Sequence, residues 1–236
     1  MTRSLESLEG RQMFTVAVAH VLPDTVICTG DAADDQVYVY DNGSGFVHGY
    51  ATNAAGTLTA FGGWAGVRRI IVNTAGGNDY VNYRMYGDNL AGGATFVQVD
   101  LGEGDDTMKV DLTNDIDMGP NAYFDLKAQG GKGKDTMVAY YRGEHDGRMS
   151  LQMDGGEDAD TLVTDVGFDP GSTGGLFARS YGGRGDDTID MLVRKVNPLD
   201  PVFVDAGASG QGDVDTVHRT PLAWNDATCE FVFVVP

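Results

Sequence analysis

A ten-residue pattern rich in glycine and aspartate recurs along most of this chain and restricts the folds that it can adopt. Clear copies are LGEGDDTMKV from Leu101, GGKGKDTMVA from Gly130, GGEDADTLVT from Gly155 and GGRGDDTIDM from Gly182. Weaker copies begin at positions 30, 74 and 209, and from Asp79 onward the equivalent aspartates are 27, 29, 25, 27 and 28 residues apart. Such a period is typical of stacked repeats, in which no unit buries its apolar face alone. It predicts one continuous solenoid.

The residues around each of these aspartates alternate between apolar and polar positions. The position two residues after the aspartate is always apolar: Val81, Met108, Met137, Leu162, Ile189 and Val217. The positions seven and nine before it are mostly apolar, and the residue between them is mostly polar. This alternation predicts strands with one buried face on both sides of a glycine-rich turn. The threonines that follow the aspartates should form an external ladder.

A coil of 25–29 residues is too long for a two-strand roll built from nine-residue repeats. The chain is therefore predicted to be all-β, a right-handed and three-sided parallel β-helix with one Gly/Asp-rich turn and one irregular arm per coil. The 44 residues between Asp35 and Asp79 exceed one coil and predict an inserted hairpin within 36–70. Residues 24–236 should form a single solenoid domain, and 1–23 a separate N-terminal segment.

The composition indicates cations as partners. The formal net charge is −19, which disfavours nucleic acid because phosphate binding requires lysine and arginine. The acids are 29 aspartates and only 6 glutamates, and a short carboxylate suits both tight turns and the binding of hard cations. The sequence contains no apolar run of about 18 residues, so we expect no membrane span.

The turns resemble the GGxGxDxU hallmark of hemolysin-type, RTX-like calcium-binding repeats. GGRGDDTID from Gly182 matches in full, whereas the copy from Leu101 lacks the first glycine and the copy from Gly155 has Asp158 in place of the second-half glycine. The resemblance covers the turns within about 74–217. It implies that Ca²⁺ is held between stacked turns by backbone carbonyls and aspartate side chains, whereas the tighter octahedron of Mg²⁺ would fit less well.

The predicted calcium ligands lie at or next to the turns. They are Asp79, Asp105, Asp106, Asp135, Asp158, Asp160, Asp186, Asp187, Asp213 and Asp215, with the turn glycines Gly102, Gly104, Gly131, Gly156, Gly183 and Gly185. The best sites should lie between the rungs that end at Asp160, Asp187 and Asp215, and the poorest near Asp135, where Lys132 and Lys134 add positive charge. The alternative is that each aspartate caps its turn by an Asx-type hydrogen bond and binds no metal.

The two ends of the chain bear on its location. Leu8, Glu9, Arg11, Met13 and Phe14 resemble, with one extra residue, a short motif near the start of secreted or surface proteins of planctomycete-type bacteria. This resemblance implies a secreted or cell-surface bacterial protein, although 1–23 could equally supply a strand that caps the solenoid. Cys28 and Cys229 should be about six rungs, or roughly 29 Å, apart and therefore unbridged.

The first functional interpretation is an extracellular calcium-binding solenoid with a structural or adhesive role and no enzymatic activity. The alternatives are a carbohydrate-active β-helix enzyme, such as a polysaccharide lyase or hydrolase, a sugar-binding module, or a metal-free spacer. Calcium is the expected cofactor, and a cell-surface polysaccharide or protein is a further candidate partner. Carboxylates that converge with an arginine or lysine in a long groove would favour the enzyme, but Arg142, Arg148, Arg179 and Arg184 are expected to pair with surface acids. The four histidines show no metal-ligand spacing.

Overall fold

A computed structural model describes residues 16–21, 23–53, 56–195, 197, 201, 203–211, 214–225 and 231–235. All regular secondary structure in these ranges is β-strand. Sheet A contains, in spatial order, β1 (Ala17–Val21), β2 (Thr25–Thr29), β6 (Arg69–Asn73), β8 (Gly93–Glu103), β10 (Ala122–Lys132), β12 (Arg148–Glu157), β14 (Gly175–Arg184), β16 (Phe203–Gln211) and β18 (Trp224–Asn225). Sheet B contains β19 (Phe231–Val234), β17 (Thr216–Arg219), β15 (Thr188–Lys195), β13 (Thr161–Phe168), β11 (Thr136–Gly143), β9 (Thr107–Leu112), β7 (Tyr80–Met85), β3 (Gln36–Asp41), β4 (Val47–Thr52) and β5 (Leu58–Trp64).

The two sheets are the two long sides of a solenoid. Each coil contributes one strand to sheet A and the next strand to sheet B, and each strand pairs in parallel with its equivalent one coil away, as β10 does with β8 and β12. The predicted fold class, an all-β parallel solenoid, is confirmed. Within the described ranges, no helix has the length and apolarity needed to cross a membrane.

The third side of the coil is only rudimentary. Single parallel bridges join Asn89 to Met118 and Met118 to His145, without forming strands. The arms that carry these residues differ in length and sequence from coil to coil, so they do not maintain the repeated register that a continuous third ladder requires.

The predicted columns form the core. Val81, Met108, Met137, Leu162 and Ile189 are at most 1% exposed, and the sheet A columns at positions seven and nine before the aspartate are also buried. The threonine ladder is confirmed, because Thr107, Thr136, Thr161, Thr188 and Thr216 are successive register partners in sheet B. Alternation therefore positions the motif threonine outside and its apolar neighbours inside.

The first coil differs from the others. β1 pairs antiparallel with β2 and so covers the edge of sheet A, where unpaired backbone groups would otherwise be exposed. The extra residues before Asp79 form the antiparallel β4–β5 hairpin, which extends sheet B beyond β3. The N-terminal residues 1–15 lie outside the described ranges.

Candidate functional site: an aspartate ladder at the solenoid corner

The corner between sheets A and B is the Gly/Asp-rich turn. Four predicted glycines, Gly102, Gly131, Gly156 and Gly183, have φ between +100° and +114°. A Cβ atom on any of them would overlap the carbonyl group of the equivalent residue in the preceding coil. Two residues further along the turn, Gly104 and Gly185 also have positive φ, and a Cβ on either would overlap the carbonyl group of the preceding coil. Glycine is therefore required both for the left-handed backbone and for the close stacking of the turns.

Seven aspartates, joined by six hydrogen bonds, form a continuous ladder inside the corner. From Asp79 onward, the Oδ1 atom of each accepts a hydrogen bond from the backbone N–H of the equivalent aspartate in the preceding coil. The distances from N to Oδ1 are 2.7 Å for Asp35–Asp79, 2.6 Å for Asp79–Asp106, 2.9 Å for Asp106–Asp135, 2.8 Å for Asp135–Asp160, 2.8 Å for Asp160–Asp187 and 3.1 Å for Asp187–Asp215. These carboxyl groups belong to residues that are at most 3% exposed. The aspartates thus pair backbone donors at a corner where strand-to-strand hydrogen bonding is interrupted.

The second carboxyl oxygen has a different environment. In Asp79, Asp106, Asp135 and Asp160 the Oδ2 atom is buried and makes no hydrogen bond in the structure. At Gly130 and Gly155, the first glycines of two motifs, an added Cβ would overlap both this Oδ2 atom and the carbonyl oxygen of the first glycine in the next coil. The missing side chain thus leaves room for a carboxyl oxygen and a carbonyl oxygen on the same side of the glycine.

Burial raises the pKa of these carboxyl groups, because the charged form loses its hydration. The pKa is raised to about 7 in Asp79, about 6 in Asp106, about 7 in Asp135 and about 8 in Asp160. Neighbouring acids of the column and of the turn raise it further, whereas the backbone hydrogen bond to Oδ1 lowers it. A proton on Oδ2 would remove the buried charge and supply a donor for a nearby carbonyl oxygen.

A second ladder runs along the outside of the same turns. Asp34, Asn78, Asp105 and Asp186 each use a side-chain Oδ1 to accept from a backbone N–H of the following coil, at distances of 2.8–3.0 Å. Its direction is opposite to that of the buried ladder, and its side chains are exposed. Asp158 is also exposed, with φ of +79° in place of a glycine, and its Oδ2 lies 3.3 Å from the backbone nitrogen of Gly133.

The predicted calcium ligands are divided between the inside and the outside of the corner. Calcium requires six to eight oxygen ligands, but in the part of the chain that the structure describes no group of three or more aspartate, glutamate, histidine or cysteine side chains converges as a metal site. The turn carbonyls of Ala75, Glu103 and Lys132 also accept backbone hydrogen bonds from neighbouring coils. Of the predicted ligands, Asp79, Asp106, Asp135, Asp160, Asp187 and Asp215 lie in the buried ladder, Asp105, Asp158 and Asp186 lie outside it, and Asp213 lies outside the described residues.

Of the four arginines that were predicted to pair with surface acids, Arg142 and Arg179 do so. Arg142 contacts Asp165 at 2.8 Å and Arg179 contacts Asp205 at 2.9 Å. His218 lies 2.7 Å from Asp190. His145 is buried beside two aromatic rings, and its Nε2 lies 3.0 Å from a backbone carbonyl.

The sequence interpretation missed another side-chain ladder on the variable arms. Asp88 accepts from the backbone N–H of Asp117, Asp117 accepts from Glu144, and Asp146 accepts from Thr173, each at 3.0 Å. Aligning the arms on Asp88, Asp117 and Glu144, at spacings close to one coil, would have revealed it. The arms are therefore tied together by acidic side chains in spite of their unequal lengths.

One cluster of aromatic rings and the described cysteine lie at the N-terminal end of the solenoid. Tyr38, Tyr50 and Tyr80 stack on the outer face of sheet B, and Trp64 stacks on His20. Cys28 is buried, and burial raises the pKa of its thiol to about 12. Its predicted lack of a bridge to Cys229 stays a prediction, because Cys229 lies outside the described residues.

Comparisons with models of protein families, with curated proteins and with solved structures found no match to this chain. The resemblances to calcium-binding repeats and to planctomycete-type surface proteins therefore rest on the motif residues alone.

Proposed function

We propose that this protein is a structural β-solenoid module whose corner is held together by a ladder of protonated aspartates and needs no metal. The observation that supports the proposal is the arrangement of the buried carboxyl groups. One oxygen of each is engaged by a backbone N–H, and the other is enclosed beside glycine. A protonated carboxyl oxygen can act as a donor in such an enclosed position, whereas a calcium ion needs at least six ligands.

The ladder has the chemistry of a scaffold. A buried backbone N–H without a partner costs about 1–3 kcal/mol, and each motif aspartate satisfies one such donor in the neighbouring coil. The aspartates therefore link every coil to the next at the point where the chain changes direction. A scaffold of this kind holds its outer faces and arms in fixed positions, which suits a structural or adhesive role at a bacterial cell surface.

An extracellular calcium-binding solenoid is the second candidate, favoured by the outer ladder. Asp105, Asp158 and Asp186 are exposed at the turns of three different coils, and Asp105 and Asp158, on either side of the Asp135 turn, both act electrostatically on the buried Asp135. Calcium on these outer carboxylates would relieve their repulsion of the buried carboxyl group. Its ligands would be the outer aspartates and turn carbonyls rather than the buried column.

Thermal melting distinguishes the two candidates. The purified chain would be melted at about pH 5 and about pH 9, each with a chelator and with about 5 mM Ca²⁺. The protonated ladder predicts a higher melting temperature at the lower pH and little effect of calcium at either pH. A large stabilisation by calcium, present at high pH and lost at low pH, would replace the first candidate by the second, because carboxylates must lose their protons to bind metal.

A further inference from the structure

The outer face of sheet A carries a valley along strand β12. Ser150, in the middle of this strand, is buried although it lies on the outer face, because larger side chains of the strands on both sides rise above it. One end of the valley is a depression of about 710 Å³ lined by Tyr123, Ser150 and Phe177. The other end is a depression of about 430 Å³ lined by Gln152, Asp154 and Tyr181.

The walls of the valley are aromatic and partly pre-positioned. Phe177 and Tyr181 are 38% and 43% exposed, and Phe203 on the neighbouring strand is 69% exposed. The guanidinium group of Arg179 lies 4.3 Å from the centre of the Phe177 ring and is itself held by both carboxylate oxygens of Asp205. An exposed ring fixed in this way offers a flat apolar surface at little further entropic cost.

The smaller depression extends from β12 over β10 to β8 and offers hydrogen-bonding groups. The amides of Gln98, Gln129 and Gln152 line the smaller depression, and each amide provides two N–H donors and a carbonyl acceptor. Among the described residues, the side chains of Gln98 and Gln129 have no hydrogen-bond partner, and Gln152 donates only to Ser150 at 3.2 Å. Asp154 is half-buried there, and burial raises the pKa of its carboxyl group.

The charge of this face contrasts with that of the whole chain. On the outward positions of β8, β10, β12, β14 and β16, between the turns, three cations stand against four acids: Lys127, Arg148, Arg179, Asp100, Asp125, Asp154 and Asp205. The chain as a whole carries a formal charge of −19. A nearly neutral face on an acidic protein does not attract a polyanion, and the interior strands of the sheet have no free edge on which a peptide could add as a strand.

We propose that the valley along β12 binds a neutral polysaccharide chain. A sugar ring presents both an apolar C–H face and hydroxyl groups. The apolar face matches the aromatic walls, and the hydroxyl groups match the amides of the smaller depression. β12 from Arg148 to Asp154 extends over roughly 20 Å, which accommodates several sugar units in a row. The proposed binding names the ligand class for the adhesive role of the proposed function, and it depends on the proposed function only for that role.

Affinity electrophoresis in native gels that contain a soluble polysaccharide tests the proposal. The probes are dextran, laminarin, xyloglucan and galactomannan as neutral chains and alginate as an anionic chain. Tyr181→Ala and Gln152→Ala alter the valley, and Tyr140→Ala, on the outer face of sheet B, is the matched control. We expect at least one neutral chain to retard the protein, with an affinity lowered about tenfold or more by each valley variant and unchanged in the control.

Three results would overturn the proposal: no neutral chain retards the protein, only alginate does, or the valley variants bind as tightly as the unaltered protein. Melting of each variant shows whether it is folded, and a valley variant that is unfolded is replaced by Phe177→Ala. The result of the polysaccharide test is independent of the melting test of the ladder. Melting that depends on calcium would overturn the metal-free ladder, but it would leave the retardation by a neutral polysaccharide unchanged.

Discussion

Replacing Asp160 by asparagine should make the protein less sensitive to high pH. Asparagine keeps the side-chain oxygen that accepts from the backbone N–H of Asp135, now at 2.8 Å, but its amide cannot ionise. Burial raises the pKa of Asp160 to about 8, whereas an unfolded aspartate titrates near 4. The folded state therefore holds a proton that the unfolded state releases, and the resulting stabilisation is complete below about pH 4 and lost as the pH rises through 8.

The size of the effect follows from the pKa difference. Each pKa unit corresponds to about 1.4 kcal/mol, so a difference of about four units sets an upper limit of roughly 5 kcal/mol for the pH-dependent stability that Asp160 contributes. Asp160 is buried, but the exposed Asp158 lies in the same turn and nearby solvent partly screens the charge, so we expect about a third of this limit, roughly 1–2 kcal/mol. In a chain of this size that corresponds to a difference in melting temperature of about 2–8 °C.

The assay compares melting temperatures between about pH 5 and about pH 9 in the presence of a chelator. Asp158→Asn is the matched control, because Asp158 lies in the same turn but is exposed, and its φ of +79° suits asparagine as well as aspartate. Asp158 raises the pKa of Asp160 less than burial and the neighbouring ladder aspartates do, so its removal should change the pH dependence much less than Asp160→Asn does. We expect Asp160→Asn to be no more stable than the unaltered protein at the lower pH. Between the lower and the higher pH, the melting temperature of the variant should fall by several degrees less than that of the unaltered protein.

Equal pH dependence of Asp160→Asn and the unaltered protein would refute the reasoning, since it would mean that Asp160 is already ionised in the folded state. The melts are repeated with calcium in place of the chelator. If calcium then stabilises the unaltered protein at high pH but not the variant, the Asp160 carboxylate binds metal.

Three other changes test the fold. Gly131→Ala forces a Cβ against the carbonyl of Gly102 at φ of +114° and should destabilise the protein by roughly 2–4 kcal/mol. Gly66→Ala, with φ of +79° and open space around it, should cost only about 1 kcal/mol. Urea unfolding measures both variants, and equal losses of stability would contradict the stacking argument. Tyr141→Phe removes a buried hydroxyl that lies 2.9 Å from two backbone carbonyls and should cost about 1–2 kcal/mol in the same assay; no loss would show that water replaces it. A thiol reagent should modify Cys28 only on unfolding, because its thiol is buried with a pKa of about 12; rapid modification of the native protein, located by peptide mass mapping, would disprove its burial.

The orientation of the motif aspartates could be read only in part from the sequence. The sequence interpretation placed Ca²⁺ between stacked turns, which stays a prediction, and the structure shows Asp106 and its equivalents buried in the corner, where they accept from the backbone of the neighbouring coil. The sequence contained a signal for this, because Asp106 and the buried Met108 are two residues apart and so face the same side of a strand. A short carboxylate beside glycine satisfies the requirements of a metal ligand and of a backbone acceptor equally well, so the motif alone cannot separate them.

The sequence by itself determined the repeat, the parallel stacking, the buried columns and the external threonine ladder, because each follows from a period of one coil and an alternation of two residues. It also indicated the inserted hairpin, because the first coil is too long. Only the tertiary structure decided which backbone groups the aspartates serve, since that depends on the offset between turns of adjacent coils. It also decided that Ser150 lies beside Phe177 and that Tyr123, two positions away in register, lines the same depression, because residues 27 positions apart meet only through the register of the sheet.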